Sequence, residues 1–167
     1  MHTFPLPSVE KLRASLNYDP MTGSLTWKVR VYRSSIRPGS EAGGGRVYRY
    51  MNFYGTQYLV HRIIWKMMTG DDPVGVIDHK DGNAANNRWD NLRQASHSQN
   101  NRNRKRAKNS TSGVKGVSWD ALHKSWRAVV HADKKNHFLG YFPEISAATD
   151  AVNAARARIH GEFARSA

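Results

Sequence analysis

No cysteine occurs among the 167 residues. That absence removes disulfide cross-links and every thiolate metal site. A histidine-only zinc site survives the exclusion, but no paired-histidine helix motif is present. Acidic residues are scarce: 13 Asp and Glu stand against 26 Lys and Arg, a formal charge of +13 before eight histidines are counted. None lies between Glu41 and Asp71, and none between Asp90 and Asp120. A surplus this large suits a polyanionic partner, because each neutralised phosphate releases a condensed counterion. Long apolar runs are missing too. The longest, Tyr58 to Met68, is interrupted by His61, Arg62 and Lys66, so it cannot span a bilayer. No membrane partner is expected. The opening Met1-His2-Thr3-Phe4-Pro5 has no basic start followed by an apolar run, so secretion is not expected either.

What is there divides into two small modules, and their thin cores follow from their size. Arg102-Asn103-Arg104-Lys105-Arg106-Ala107-Lys108 runs into Asn109-Ser110-Thr111-Ser112-Gly113. A basic block followed by small polar residues reads as an extended linker. The boundaries expected are 1–101, a basic linker at 102–112, and 113–164. In the first module Val9 to Leu16 reads as a short helix, and Asn17 to Gly23 as a turn cluster. Ser24 to Val29 alternates like a strand. Gly39 to Gly45 reads as a flexible loop, since no lysine-serine pair follows to make a phosphate-binding loop. Val47 to Phe53 and Thr56 to Val60 read as a hairpin turning at Tyr54-Gly55. Leu59 to Met68 reads as a helix ended by Thr69-Gly70, with Trp65, Met67 and Met68 in the core. His61, inside that run, reads as a satisfied core or surface histidine, with a DNA contact as the alternative.

The second module reads as strand, strand, strand, helix. Gly116 to Trp119 is the first strand. Trp126 to Ala132 is the second, with Trp126, Ala128 and Val130 on one face and Arg127, Val129 and His131 on the other. Lys134-Lys135-Asn136 is the expected turn, and His137 to Phe142 the third strand. Pro143 opens a helix, Ile145, Ala148, Val152, Ala155 and Ile159 mark its apolar face, and Gly161 is its expected cap. Ala147, Ala151, Ala154 and Ala157 are expected to let that helix lie close to the sheet.

The stretch with chemical content is Val76-Ile77-Asp78-His79-Lys80-Asp81-Gly82-Asn83, then Asn86 to Arg93, then Ser96 to Asn101. Hydrolysis of a phosphodiester needs a base poised near neutral pH, which histidine supplies. It also needs positive charge at the phosphate and leaving oxygen, most simply a divalent cation. A hard cation such as Mg2+ prefers oxygen ligands and keeps several waters, so Asp78 and an asparagine amide suffice as protein donors. Adjacent residues of a strand face opposite ways, so Asp78 and His79 can serve two partners.

This ordered set of Asp-His, Gly-Asn, Asn-Leu and Asn-Asn resembles the HNH nuclease family, in its phage and intron-encoded homing endonuclease branch. The Asp19-Pro20-x-Thr22-Gly23-x-Leu25-x-Trp27 turn is similar to the N-terminus of such proteins. The resemblance implies an α+β chain whose first module is a ββα-metal unit binding one Mg2+ or Mn2+ ion. It implies His79 as general base and Asp78 as metal ligand. Asn91 would pin the loop through backbone hydrogen bonds. Asn100 would be the second ligand, with Asn101 and then His97 as alternatives. The activity implied is a DNA endonuclease, a nicking or homing enzyme working as a monomer in the cytoplasm of a bacterial or phage-infected cell. A non-catalytic DNA-binding regulator on the same scaffold is the rival reading.

Lys115-Gly116-Val117-Ser118-Trp119, Trp126-Arg127-Ala128 and Leu139-Gly140-Tyr141-Phe142, with the alanine-rich helix, resemble the AP2/ERF DNA-binding domain over about 112–164. The resemblance implies a three-stranded antiparallel sheet packed on one helix and laid in the major groove of duplex DNA. Lys115, Ser118, Trp119, Arg127, Val129 and His131 are the outward positions expected. Lys115, Arg127, Lys134 and Lys135 are expected on phosphates, as are Arg102, Arg104, Lys105, Arg106 and Lys108 of the linker.

Overall fold

The computed structural model describes residues 5–31, 34–97, 99–100, 112–132 and 135–160. The chain divides into two units, Met1–Ala95 and Ser96–Ala167. Among the described residues no helix is long and apolar enough to cross a membrane.

The first unit opens with α1 (Val9–Ser15). Ser8 caps it by accepting from the Lys11 amide, with Glu10 in the first turn and Arg13 in the last, as the helix dipole favours. The helix runs directly into β1 (Leu16–Tyr18), which pairs antiparallel with β2 (Leu25–Trp27). β1 sits where a turn cluster was expected to begin. Three residues are too few to reveal alternation, so only the pairing exposes the strand. The turn itself closes on Asp19, which accepts from Met21 N and Thr22 Oγ1 while its carbonyl accepts from Gly23 N.

Gly39 to Gly45 is not the free loop expected from its composition. Glu41 bridges Thr26, and Gly44 exchanges two 2.9 Å backbone bonds with Tyr50. The hairpin of β3 (Tyr50–Phe53) and β4 (Thr56–Leu59) turns through Tyr54 and Gly55, both at positive φ (49° and 79°), the geometry that suits two-residue hairpins. α2 (Val60–Thr69) follows and ends at left-handed Gly70. Val60, Ile63, Ile64 and Met67 form its buried stripe, packed with Leu12, Leu16, Leu25, Trp27, Met51 and Phe53. Met68, expected in this core, is exposed. The unit closes with β5 (Val76–His79) paired antiparallel with β6 (Leu92–Ala95), joined by a loop that ends in a 3-10 turn, Trp89–Asn91.

In the second unit β7 (Val117–Asp120), β8 (Ser125–Ala132) and β9 (Lys135–Phe142) form an antiparallel sheet in that order, and α3 (Ile145–His160) packs on one face. Val117, Ala128 and Val130 meet Ala148, Val152 and Ala155, flanked by Ile145 and Ile159. The helical face read from spacing is therefore the buried one. Ala147, Ala154 and Ala157 point to solvent, so the close approach belongs to Ala148 and Ala155 instead. Lys135 and Asn136, expected in a turn, are strand residues paired with Ala132 and His131. Gly116 (φ 84°) precedes β7, and a Cβ there would come within 2.4 Å of the Val129 carbonyl oxygen. Gly161, the expected cap, lies outside the described residues.

Candidate active site

The β5–β6 register places Asp78 opposite Arg93 and His79 opposite Leu92. Directly opposed residues share a face, so Arg93 meets Asp78. Its Nε and Nη2 donate to Asp78 Oδ2 at 2.9 and 2.8 Å. Both side chains are largely buried, and losing one partner of such a pair leaves an uncompensated charge that costs about 3–5 kcal/mol.

His79 turns to the other face and is only 4% exposed. Its Nε2 lies 3.1 Å from Asn87 Oδ1. An amide oxygen only accepts, so Nε2 is the donor of this contact. Asn87 is buried as well, and its carbonyl accepts from Tyr18 Oη at 2.7 Å. Burial pushes the Tyr18 phenol up to about 12, with Asp19 and Asp90 adding, so it stays a donor at neutral pH. The N-terminal turn is a second brace. Arg88 Nε donates to the Met21 carbonyl at 2.5 Å, Trp89 N to the Pro20 carbonyl at 3.1 Å, and a Cβ on Gly23 would strike Arg88 N at 2.6 Å. The Asp-Pro-x-Thr-Gly turn thus buttresses the loop beside His79.

Asn91 ties that loop shut. Its Oδ1 accepts from Asp81 N (3.0 Å), and its Nδ2 donates to Asp81 Oδ1 (3.0 Å) and the Asn86 carbonyl (2.8 Å). Asp81 also accepts from Asn83 N and Asn86 Nδ2, both at 2.8 Å. Desolvation raises the Asp81 carboxyl, but the bonds from Asn83, Asn86 and Asn91, with the charge of His79, outweigh it and hold it below the usual range. Asp81 is therefore the hub of the loop.

Two aromatic neighbours of His79 were not assigned to the site from sequence. His61, on the first turn of α2, sets its ring edge-to-face against His79, centroids 5.2 Å apart at 87°. Tyr48 lies 5.7 Å from His61 and 6.4 Å from His79. Burial, with His79 and Arg62 adding, pushes the His61 imidazole down to about 3. Nothing in the spacing of His61 marks it, since its neighbours are those of an ordinary core helix. Arg93 was more legible, because an acid and a base face each other once the hairpin register is set.

Asn100 belongs to the second unit, on a helical turn begun by Ser96. Ser96 Oγ accepts from Gln99 N while Gln99 Oε1 accepts from Ser96 N, a capping box, and Asn100 N donates to the Ser96 carbonyl. His97 is exposed on the same turn. Asn101, the linker cations Arg102, Arg104, Lys105, Arg106 and Lys108, and Lys134 lie outside the described residues. Among the described residues no three His, Asp or Glu gather closely enough to hold an ion by themselves.

On the sheet of the second unit Ser118, Arg127 and Tyr141 run across the three strands on the face away from α3, followed by Val129 beside Phe138 and His131 beside Asn136. Tyr141 stacks on His123 at 4.1 Å and meets Phe138 edge-on at 5.1 Å. Trp119 was expected outward beside Ser118, but consecutive strand residues cannot share a face. It stands opposite Trp126, on the side of α3, and remains half exposed at the sheet's margin. Lys115 is half-buried, and its carbonyl accepts from Arg156. Lys135 is exposed at the start of β9.

Comparison with known proteins agrees with the chemistry of this hairpin. The HNH endonuclease family matches residues 58–102, which span α2, β5, the Asp81–Asn91 loop, β6 and Asn100. Protein 3.8 of Escherichia phage T7 is 38% identical over 106 residues, 63% of this chain and 87% of that protein. No solved structure matches. The chain belongs to the family of phage T7 protein 3.8, and within it residues 58–102 form an HNH endonuclease segment.

Proposed function

We propose that this chain is a metal-dependent DNA endonuclease that hydrolyses one phosphodiester per engagement, a site-specific nicking or homing enzyme working as a monomer. The observation that carries the reading is the His79 imidazole, tethered at Nε2 to buried Asn87 at the end of β5, one residue from the Asp78 carboxylate. In this reading His79 is the general base that takes the proton of the attacking water. Asn91 holds the loop that carries Asn87. Asp78 and Asn100 are the protein donors for the ion, and one carboxylate with one amide oxygen suits a hard cation that keeps its waters. Mg2+ or Mn2+, when bound, supplies positive charge to the phosphate and the leaving oxygen.

The second unit is, in the same reading, an AP2/ERF-like module that lays its outer face in the major groove. The linker cations and Lys115, Arg127, Lys134 and Lys135 meet phosphates. The place of action is the cytoplasm of a bacterial or phage-infected cell. The test is nicking of supercoiled plasmid carrying source-genome DNA with Mg2+, Mn2+ or EDTA, for wild type and His79→Ala. Metal-dependent nicking that the mutant loses, while both bind the DNA equally, is expected. Binding by wild type without cleavage in either metal would replace this reading with a DNA-binding regulator on a nuclease scaffold.

A further inference from the structure

We infer that Val129 and Phe138, on the outer face of the second unit's sheet, determine specificity: together they form an apolar contact for the 5-methyl groups of thymine in duplex DNA. The inference deepens the reading of this face as a major-groove reader and rests on it. Base edges in the major groove present hydrogen-bond donors and acceptors, and the thymine methyl is their apolar group. An apolar pair turned toward the groove therefore matches thymine.

The pair is built by a bulge. Phe138 and Tyr141 are three residues apart, and in a regular strand they would face opposite ways. The pairing of β8 with β9 skips Leu139: Ala128 stands opposite Gly140, but Val129 stands opposite Phe138. Gly140 sits there at φ 136°, which glycine adopts readily. Leu139 and Phe142 then pack on the core under α3, while Phe138 and Tyr141 turn outward with ring centroids 5.1 Å apart. Phe138 is 53% exposed, and half-buried Val129 lies directly across from it, so the two make one apolar step across β8 and β9.

What borders the pair fits DNA. Arg127 with Ser118 lies on one side and His131 with Asn136 on the other, so the apolar row is flanked by groups that hydrogen-bond to bases and phosphates. Asp120 is the single Asp or Glu on the three strands, and its Oδ1 is engaged by His123 through the backbone N and ring Nδ1, both at 3.0 Å. A second copy of this chain, itself carrying +13, would set like charges together, whereas a polyanion meets the surplus.

The experiment selects tight-binding sequences from a random pool of duplex DNA with the full chain in EDTA, where a metal-dependent enzyme does not cut. Thymines of the selected duplex are then replaced one at a time by deoxyuridine, which removes only the methyl. One or two positions are expected to lose about 4-fold in affinity per methyl, the effect of burying one such group. Phe138→Ser and Val129→Ser should bind thymine and deoxyuridine duplexes alike, while Phe138→Leu keeps the difference. Neither position belongs to the core under α3, and thermal unfolding checks that the sheet survives. A selected site without thymine, or equal binding of deoxyuridine at every position, would overturn the inference and leave the groove reading standing. So would a methyl effect that persists unchanged in Phe138→Ser. Failure to enrich any duplex, or a preference for single-stranded oligonucleotide that Phe138→Ser abolishes, would overturn the groove reading itself and this inference with it.

Discussion

Replacing Asn91 with alanine should detach the loop beside His79 without disturbing the core. The side chain makes three hydrogen bonds, one to Asp81 N, one to Asp81 Oδ1 and one to the Asn86 carbonyl. A typical buried bond contributes about 1 kcal/mol net, so a ceiling of about 3 kcal/mol follows. Asp81 is exposed and Asn86 half-buried, so water recovers part of the loss, and about 2 kcal/mol is the expected cost. That is a large fraction of the stability of an ordinary domain. Urea unfolding monitored through Trp27, Trp65 and Trp89 in the first unit measures it. Hydrogen exchange gives the local reading, because the Asp81 amide loses its acceptor and should lose protection. The Asp81 carboxyl should also titrate closer to its ordinary range, since one of the bonds depressing it is gone. Asn91→Asp should not rescue the loop at neutral pH, because it sets a second carboxylate against Asp81. The reasoning fails if Asn91→Ala unfolds within about 0.5 kcal/mol of wild type with Asp81 still protected.

Three further outcomes follow from the same geometry. His61 has a folded pKa near 3 against an ordinary value of 6.5, so the unfolded chain binds the extra proton between them. Stability should therefore be intact above about pH 6.5 and fall by up to about 1.4 kcal/mol per unit as pH drops toward 3. Unfolding at pH 7 and 5 should show this slope in wild type, and a smaller one in His61→Phe. Gly23→Ala should destabilise the first unit by about 1–3 kcal/mol more than Gly39→Ala, since both have positive φ but only Gly23 lies against Arg88 and Asn87. Equal thermal midpoints for the two variants would show that the N-terminal turn does not brace the loop. Arg127→Ala should weaken duplex binding and reduce the slope of log affinity against log salt by about 1, whereas Tyr141→Ala should weaken binding with the slope kept.

Much of the local structure was legible because its signals are local. The hairpin of Tyr50 to Leu59 announces itself by its Tyr54-Gly55 turn, α2 by its terminal glycine, and the buried face of α3 by the spacing of Ile145, Ala148, Val152, Ala155 and Ile159. β1 and the docking of the glycine-rich segment were not, because three-residue pairings and single bridges depend on what the partner strand offers. The outward placement of Trp119 failed on a rule the sequence does contain, that neighbours on a strand face opposite ways.

The identities and order of Asp78, His79, Asn91 and Asn100, with the basic charge around them, are properties of the sequence alone. They carry the resemblance to the HNH endonuclease family, which matches residues 58–102. That His79 meets Asn87, that Arg93 neutralises Asp78, and that His61 and Tyr48 wall the imidazole belong to tertiary structure. Those facts turn on the β5–β6 register and on the face α2 turns toward β5. Contacts between residues 8 to 31 positions apart leave no periodic mark in the chain, and only packing decides them.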